Sequence, residues 1–225
     1  MLLKVCGMRD AENISELLKL KPNYLGFIFY KKSKRFVSYF PEIEIPSEIK
    51  KVGVFVNESV EKVLKTVEEN KLDAVQLHGN ESPEYIDELR KVICHSEQSE
   101  ESIKSEILSF TQNDKEIEIF KAFSVDDTFN FSKTEAYQNV CDFLLFDTKG
   151  KDYGGNGVKF NWQVLQKYQG ETPFLLSGGI SKVDANEIKN ISHKAFAGID
   201  INSGFEIKPA FKNIANIKEF KQNLS

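Results

Sequence analysis

LLKVCGMRD, residues 2–10, decides the fold. An apolar run broken only by Lys4 stops at Cys6-Gly7, and Asp10 then stands ahead of a stretch with helical spacing, as an N-cap does. An open nucleotide-binding sheet places a GxGxxG turn behind its first strand, and here a single glycine follows. Seven more short β-branched and aromatic runs lie further along, at 24–29, 52–56, 74–78, 117–123, 143–147, 173–176 and 194–199. They are nearly continuous in apolar residues, as strands buried on both faces are. Helical periods fall between them at 10–20, 59–70, 82–92, 162–168, 184–190 and 214–220. Eight strands alternating with helices in 225 residues predict one closed (β/α)8 barrel, a TIM barrel, spanning 1–225. A doubly wound open sheet is the competing architecture. The segment after the second strand holds Pro41 and Pro46 and no helical period, so the second helix is expected to be short or missing. The Ser/Glu-rich stretch at 94–115 reads as a surface insertion between strands four and five.

Composition narrows the partners. Thirty basic against 34 acidic residues leave a net charge of −4, which argues against a nucleic-acid or membrane-surface binder, whose affinity comes from clustered Lys and Arg. A small molecule is the expected partner, for a monomer or a homodimer. No apolar run reaches transmembrane length and the opening residues lack a signal-peptide pattern, so a cytoplasmic location is expected. Cys6, Cys94 and Cys141 form no CxxC pair and are expected to be free thiols, with no metal site.

In a parallel barrel, chemistry sits where the strands end. Strand one brings Lys4 and Cys6 to one face, where the lysine charge would favour a thiolate unless an internal carboxylate caps it. Strand six closes on Asp147, costly to bury unless hydrogen-bonded or in use, and a candidate general acid. Gln76 and His78 share a face at the end of strand four. Three glycine turns follow, at 153–157, Ser177-Gly178-Gly179 and Asp200 to Gly204, and the latter two occupy the loops that hold phosphate in this architecture. Lys31, Lys32, Lys34 and Arg35 make a basic cluster after strand two, from which Arg35 is placed to grip a carboxylate through two N–H bonds.

These stretches resemble the phosphoribosylanthranilate isomerase family of tryptophan biosynthesis: KVCGMRD (4–10), LGFIFYKKSKRFV (25–37), KVGVFVNES (51–59), AVQLHGNESPEYI (74–86), LLFDTKG (144–150), GGNGVKFNW (154–162), PFLLSGGI (173–180) and GIDINSGFE (198–206). The resemblance implies an Amadori rearrangement without metal or organic cofactor. It puts the general base on Cys6 and the general acid on Asp147. Arg35 falls on the substrate-carboxylate position, and the backbone around Gly178, Gly179, Ser203 and Gly204 on the phosphate position. His78 and Asp200 fall near the sugar, and Gly155 and Gly157 in a loop over the site. Where family members carry Ser-Pro-Arg, this chain has Ser33-Lys34-Arg35. Two other readings stand beside it: another phosphate-binding sugar isomerase of this fold, as in histidine synthesis, and a noncatalytic barrel that binds a phosphometabolite. The former chemistry uses two carboxylates, and Cys6 stands where one would be.

Overall fold

A computed structural model describes residues 1–95, 117–149 and 159–224. Eight parallel strands close into a barrel in sequence order: β1 (Leu2–Cys6), β2 (Tyr24–Ile28), β3 (Lys50–Phe55), β4 (Ala74–Leu77), β5 (Glu118–Val125), β6 (Phe143–Thr148), β7 (Phe174–Leu176) and β8 (Phe196–Ile201). β1 and β8 close the cylinder with Lys4 opposite Asp200. The open sheet is thereby excluded. A small antiparallel hairpin, β9 (Glu206–Lys208) with β10 (Phe211–Lys212), follows β8.

Alternation along each strand builds two cores. Inward residues Tyr24, Val52, Ala74, Phe120, Leu145 and Leu175 plug the lower barrel, where Phe120 stacks on Phe143 at 4.8 Å. Outward residues such as Val5, Leu25, Phe27, Phe146 and Ile199 meet the helices in the larger core. Those helices are α1 (Ala11–Leu18), α2 (Val60–Asn70), α3 (Pro83–His95), α4 (Ala185–Lys189) and α5 (Ile214–Leu224). Asp10 caps α1 by accepting from Asn13 N at 2.8 Å, and the apolar stripe Ile14 and Leu17 is fully buried. Ser59 caps α2 in the same way. No helix lies between β2 and β3, where 29–49 runs as turns and coil.

Two differences from the sequence reading are plain. Residues Trp162–Lys167 form a 3₁₀ turn rather than an α-helix, and a second 3₁₀ segment, Phe131–Tyr137, covers β5 where no helix was expected. Neither segment makes a long amphipathic period, so packing on aromatic residues decides: Phe131 and Tyr168 both abut Phe146. The 94–115 insertion lies outside the described residues except for the end of α3. Among the described residues no helix is long and apolar enough to cross a membrane.

Candidate active site

The C-terminal ends of the strands surround a cavity of about 510 Å³. Cys6, Arg35, His78, Asp147, Gly178, Gly179, Asp200, Ser203 and Gly204 all line it, so one site gathers residues from β1, β6 and β8 and from the segments after β2, β4, β7 and β8. Gly155 and Gly157 lie outside the described residues.

Cys6 is 4% exposed and looks into space left by Gly26 on β2, where an added Cβ would stand 2.7 Å from the thiol sulfur. Burial pushes its pKa up. Lys4 and Lys212 pull it back and Asp200 adds to the rise. Lys4 does draw the thiol toward its ionised form, as expected, but burial outweighs it. The internal carboxylate left open from sequence is present as well: Lys4 Nζ donates to Asp200 Oδ2 at 2.9 Å, with both side chains buried. Asp200 is itself pushed up by burial, against the pull of Lys4, and its Oδ1 finds no hydrogen-bond partner among the described residues. A buried carboxylate oxygen without a donor is unfinished chemistry.

Asp147 stands on the far wall. Its Oδ1 accepts from Thr148 N at 2.9 Å and its Oδ2 faces His78 Nε2 at 3.2 Å. Gln76 Nε2 lies 2.7 Å from His78 Nδ1, so Gln76 and Asp147 hold the imidazole by its two nitrogens. Gly178 adopts φ +86°, and a Cβ there would run into Asp147 and Thr148, so this loop comes close to the carboxylate only as glycine.

A model of the family described as N-(5'-phosphoribosyl)anthranilate (PRA) isomerase matches residues 3–114 and 100–223. The chain belongs to the N-(5'-phosphoribosyl)anthranilate isomerase family. A family member from Parabacteroides distasonis is 43% identical over 229 residues, covering 100% of this chain and 93% of its own. Among solved members, the enzyme from Thermotoga maritima superposes with a TM-score of 0.78 at 29% identity, covering 100% of this chain and 98% of that one. Another, solved in complex with reduced 1-(o-carboxyphenylamino)-1-deoxyribulose 5-phosphate, gives 0.75 at 26% identity and the same coverage.

Arg35, expected to grip a substrate carboxylate, already holds one of the protein's own. Its Nε and Nη2 donate to Glu206 Oε1 and Oε2 at 2.8 and 2.7 Å. Sequence reading missed Glu206 and its second partner, Lys212, although GFE at 204–206 lay inside a matched stretch. It also missed Lys121–Glu81, a buried pair at 2.9 Å behind β4 and β5. Partners this far apart in the chain leave no local spacing to read.

Proposed function

We propose that this chain is an N-(5'-phosphoribosyl)anthranilate isomerase of tryptophan biosynthesis, acting as one cytoplasmic barrel domain in which 94–115 is an insertion. The observation that carries the reading is that Cys6 and Asp147, the only thiol and the unpaired-with-lysine carboxylate among the described lining residues, share one cavity with an arginine and a glycine loop. Each end of a substrate bearing a carboxylate and a phosphate then has a matching surface.

Asp147 protonates the furanose ring oxygen, and the C1–O bond breaks to leave a Schiff base between C1 and the anthranilate nitrogen. Cys6, as thiolate, takes the C2 proton, and the C2–H electrons move to C1 as the C1=N bond becomes a single bond. The resulting enolamine gains a proton at C1 and loses one from the C2 hydroxyl, giving the 1-amino-1-deoxyribulose phosphate. Protons balance over the cycle and no electrons leave the substrate. Asp200, at the cavity wall, accepts from a sugar hydroxyl. Gln76 and Asp147 hold the His78 ring between them, and Nε2 stays within hydrogen-bond reach of Asp147 after it has given its proton.

The test follows the fading fluorescence of phosphoribosyl anthranilate. The parent should convert it, and Cys6→Ser and Asp147→Asn should each lower kcat about 10²–10⁴-fold, the usual yield of a positioned acid or base. Conversion of only the imidazole ribotide of histidine synthesis, or binding without conversion, contradicts the proposal.

A further inference from the structure

The β9–β10 hairpin interrupts the passage from β8 to α5 and carries two charges, Glu206 and Lys212, behind Arg35 of the cavity wall. It is fastened from below. Asn13 of α1 accepts from Lys212 N at 2.7 Å and donates to Lys212 O at 2.9 Å. Lys212 Nζ, fully buried, then reaches Asn202 Oδ1 and Glu206 Oε1, each at 2.7 Å, and Ala210 N adds a bond to Glu206 Oε1 at 3.1 Å. Glu206, held from three directions, clasps Arg35 side-on. The stem of Arg35 crosses the end of β1 at Gly7 (φ +74°), where any Cβ would stand 2.7 Å from Arg35 Cδ.

Side-on pairing uses the Nε and Nη2 edge of the guanidinium and leaves the Nη1 and Nη2 edge to meet a second planar acceptor. Charge counting explains the lysine. An isolated Arg–Glu pair is neutral and draws an anion weakly, whereas Arg35 at the cavity wall, with Glu206 and Lys212 behind it, makes a cluster of +1.

We propose that Glu206 and Lys212 are positioning residues that present the outer edge of Arg35 to the aromatic carboxylate, so that the hairpin selects substrates bearing that group. The inference rests on the isomerase reading. Charge states agree with it: burial pushes Glu206 up, but bonds from Arg35 and the Lys212 charge more than offset this and leave it below the ordinary carboxylate range. Burial pulls Lys212 below the ordinary lysine value, with Glu206 resisting.

The experiment compares steady-state kinetics on phosphoribosyl anthranilate and on its descarboxy analogue, phosphoribosyl aniline. Glu206→Gln should raise KM for the former about tenfold or more, the scale of a charge-assisted hydrogen bond, with kcat little changed. On the aniline the same variant should match the parent within about twofold. Glu206→Gln leaves Lys212 buried without its carboxylate, so Glu206→Gln/Lys212→Met is measured beside it and should show the same split. Equal losses on both substrates, no loss on either, or failure of both variants to fold overturns the inference while leaving the isomerase reading intact if the parent is active. A parent inactive on both substrates overturns the isomerase reading and this inference with it.

Discussion

Two buried lysine–carboxylate pairs sit a few strands apart and share one length. Lys4–Asp200, inside the barrel, and Lys121–Glu81, outside it, each close at 2.9 Å. Their surroundings differ. Lys121 also donates to Gly79 O at 2.7 Å, and Glu81 accepts from Asn57 N at 2.7 Å and Gly79 N at 2.9 Å, so that pair stitches together the loops after β3 and β4. Asp200 lines the cavity with Lys4 on Oδ2 and, among the described residues, no partner on its buried Oδ1. Burial alone does not mark a working ion pair, since desolvation is costly in both places. What separates them is completion: a finished pair holds the fold, and one short of a donor awaits a ligand.

The comparison breaks most visibly under substitution. Glu81→Gln leaves Lys121 charged and buried, and should cost about 3–5 kcal/mol in denaturant unfolding, with turnover per folded molecule unchanged within about threefold. Asp200→Asn likewise leaves Lys4 buried without its carboxylate and should cost a similar amount of stability, but here kcat/KM should also fall about 10–100-fold through the lost hydroxyl acceptor. Equal stability losses with equal activities would erase the distinction.

A finer probe is the thiol above Lys4. Iodoacetamide reacts with thiolates, so the pH midpoint for alkylating the Cys6 peptide should lie above the free-thiol value of about 8.5, because burial outweighs the pull of Lys4. Lys4→Met removes the pull and should move the midpoint higher still; a parental midpoint below 8 would mean Lys4 prevails. Cys141, pushed up to about 12 mainly by burial, should stay unlabelled throughout. The exposed pair Lys19–Glu16 sets the floor, and Lys19→Ala should alter unfolding free energy by no more than about 0.5 kcal/mol.

Much of this was legible from the chain. The apolar runs located every barrel strand to within two residues at most ends, because a strand buried on both faces has no choice but to be apolar. Cys6, His78 and Asp147 stood out as polar residues closing such runs, Asp200 came from a glycine turn and the family resemblance, and the cavity collects all four. The hairpin was not legible. Glu206–Lys208 and Phe211–Lys212 are too short for a period, and the meaning of Glu206 depends on Arg35, 171 positions away. Likewise the Cys6 shift comes first from burial and then from Lys4 and Asp200, which meet only once the cylinder closes. Periodicity reports burial, whereas charge state depends on partners that folding supplies.

The most direct test is a crystal structure with the reduced, nonreactive ribulose product analogue bound. The account predicts substrate C2 within about 3.5 Å of Cys6 Sγ, the C4 oxygen within hydrogen-bond reach of Asp147, and the aromatic carboxylate on the outer edge of Arg35. A reversed pose, with phosphate on Arg35 and the aromatic ring against Gly178 and Gly179, would contradict it, as would a sugar that contacts only one of the two proton carriers.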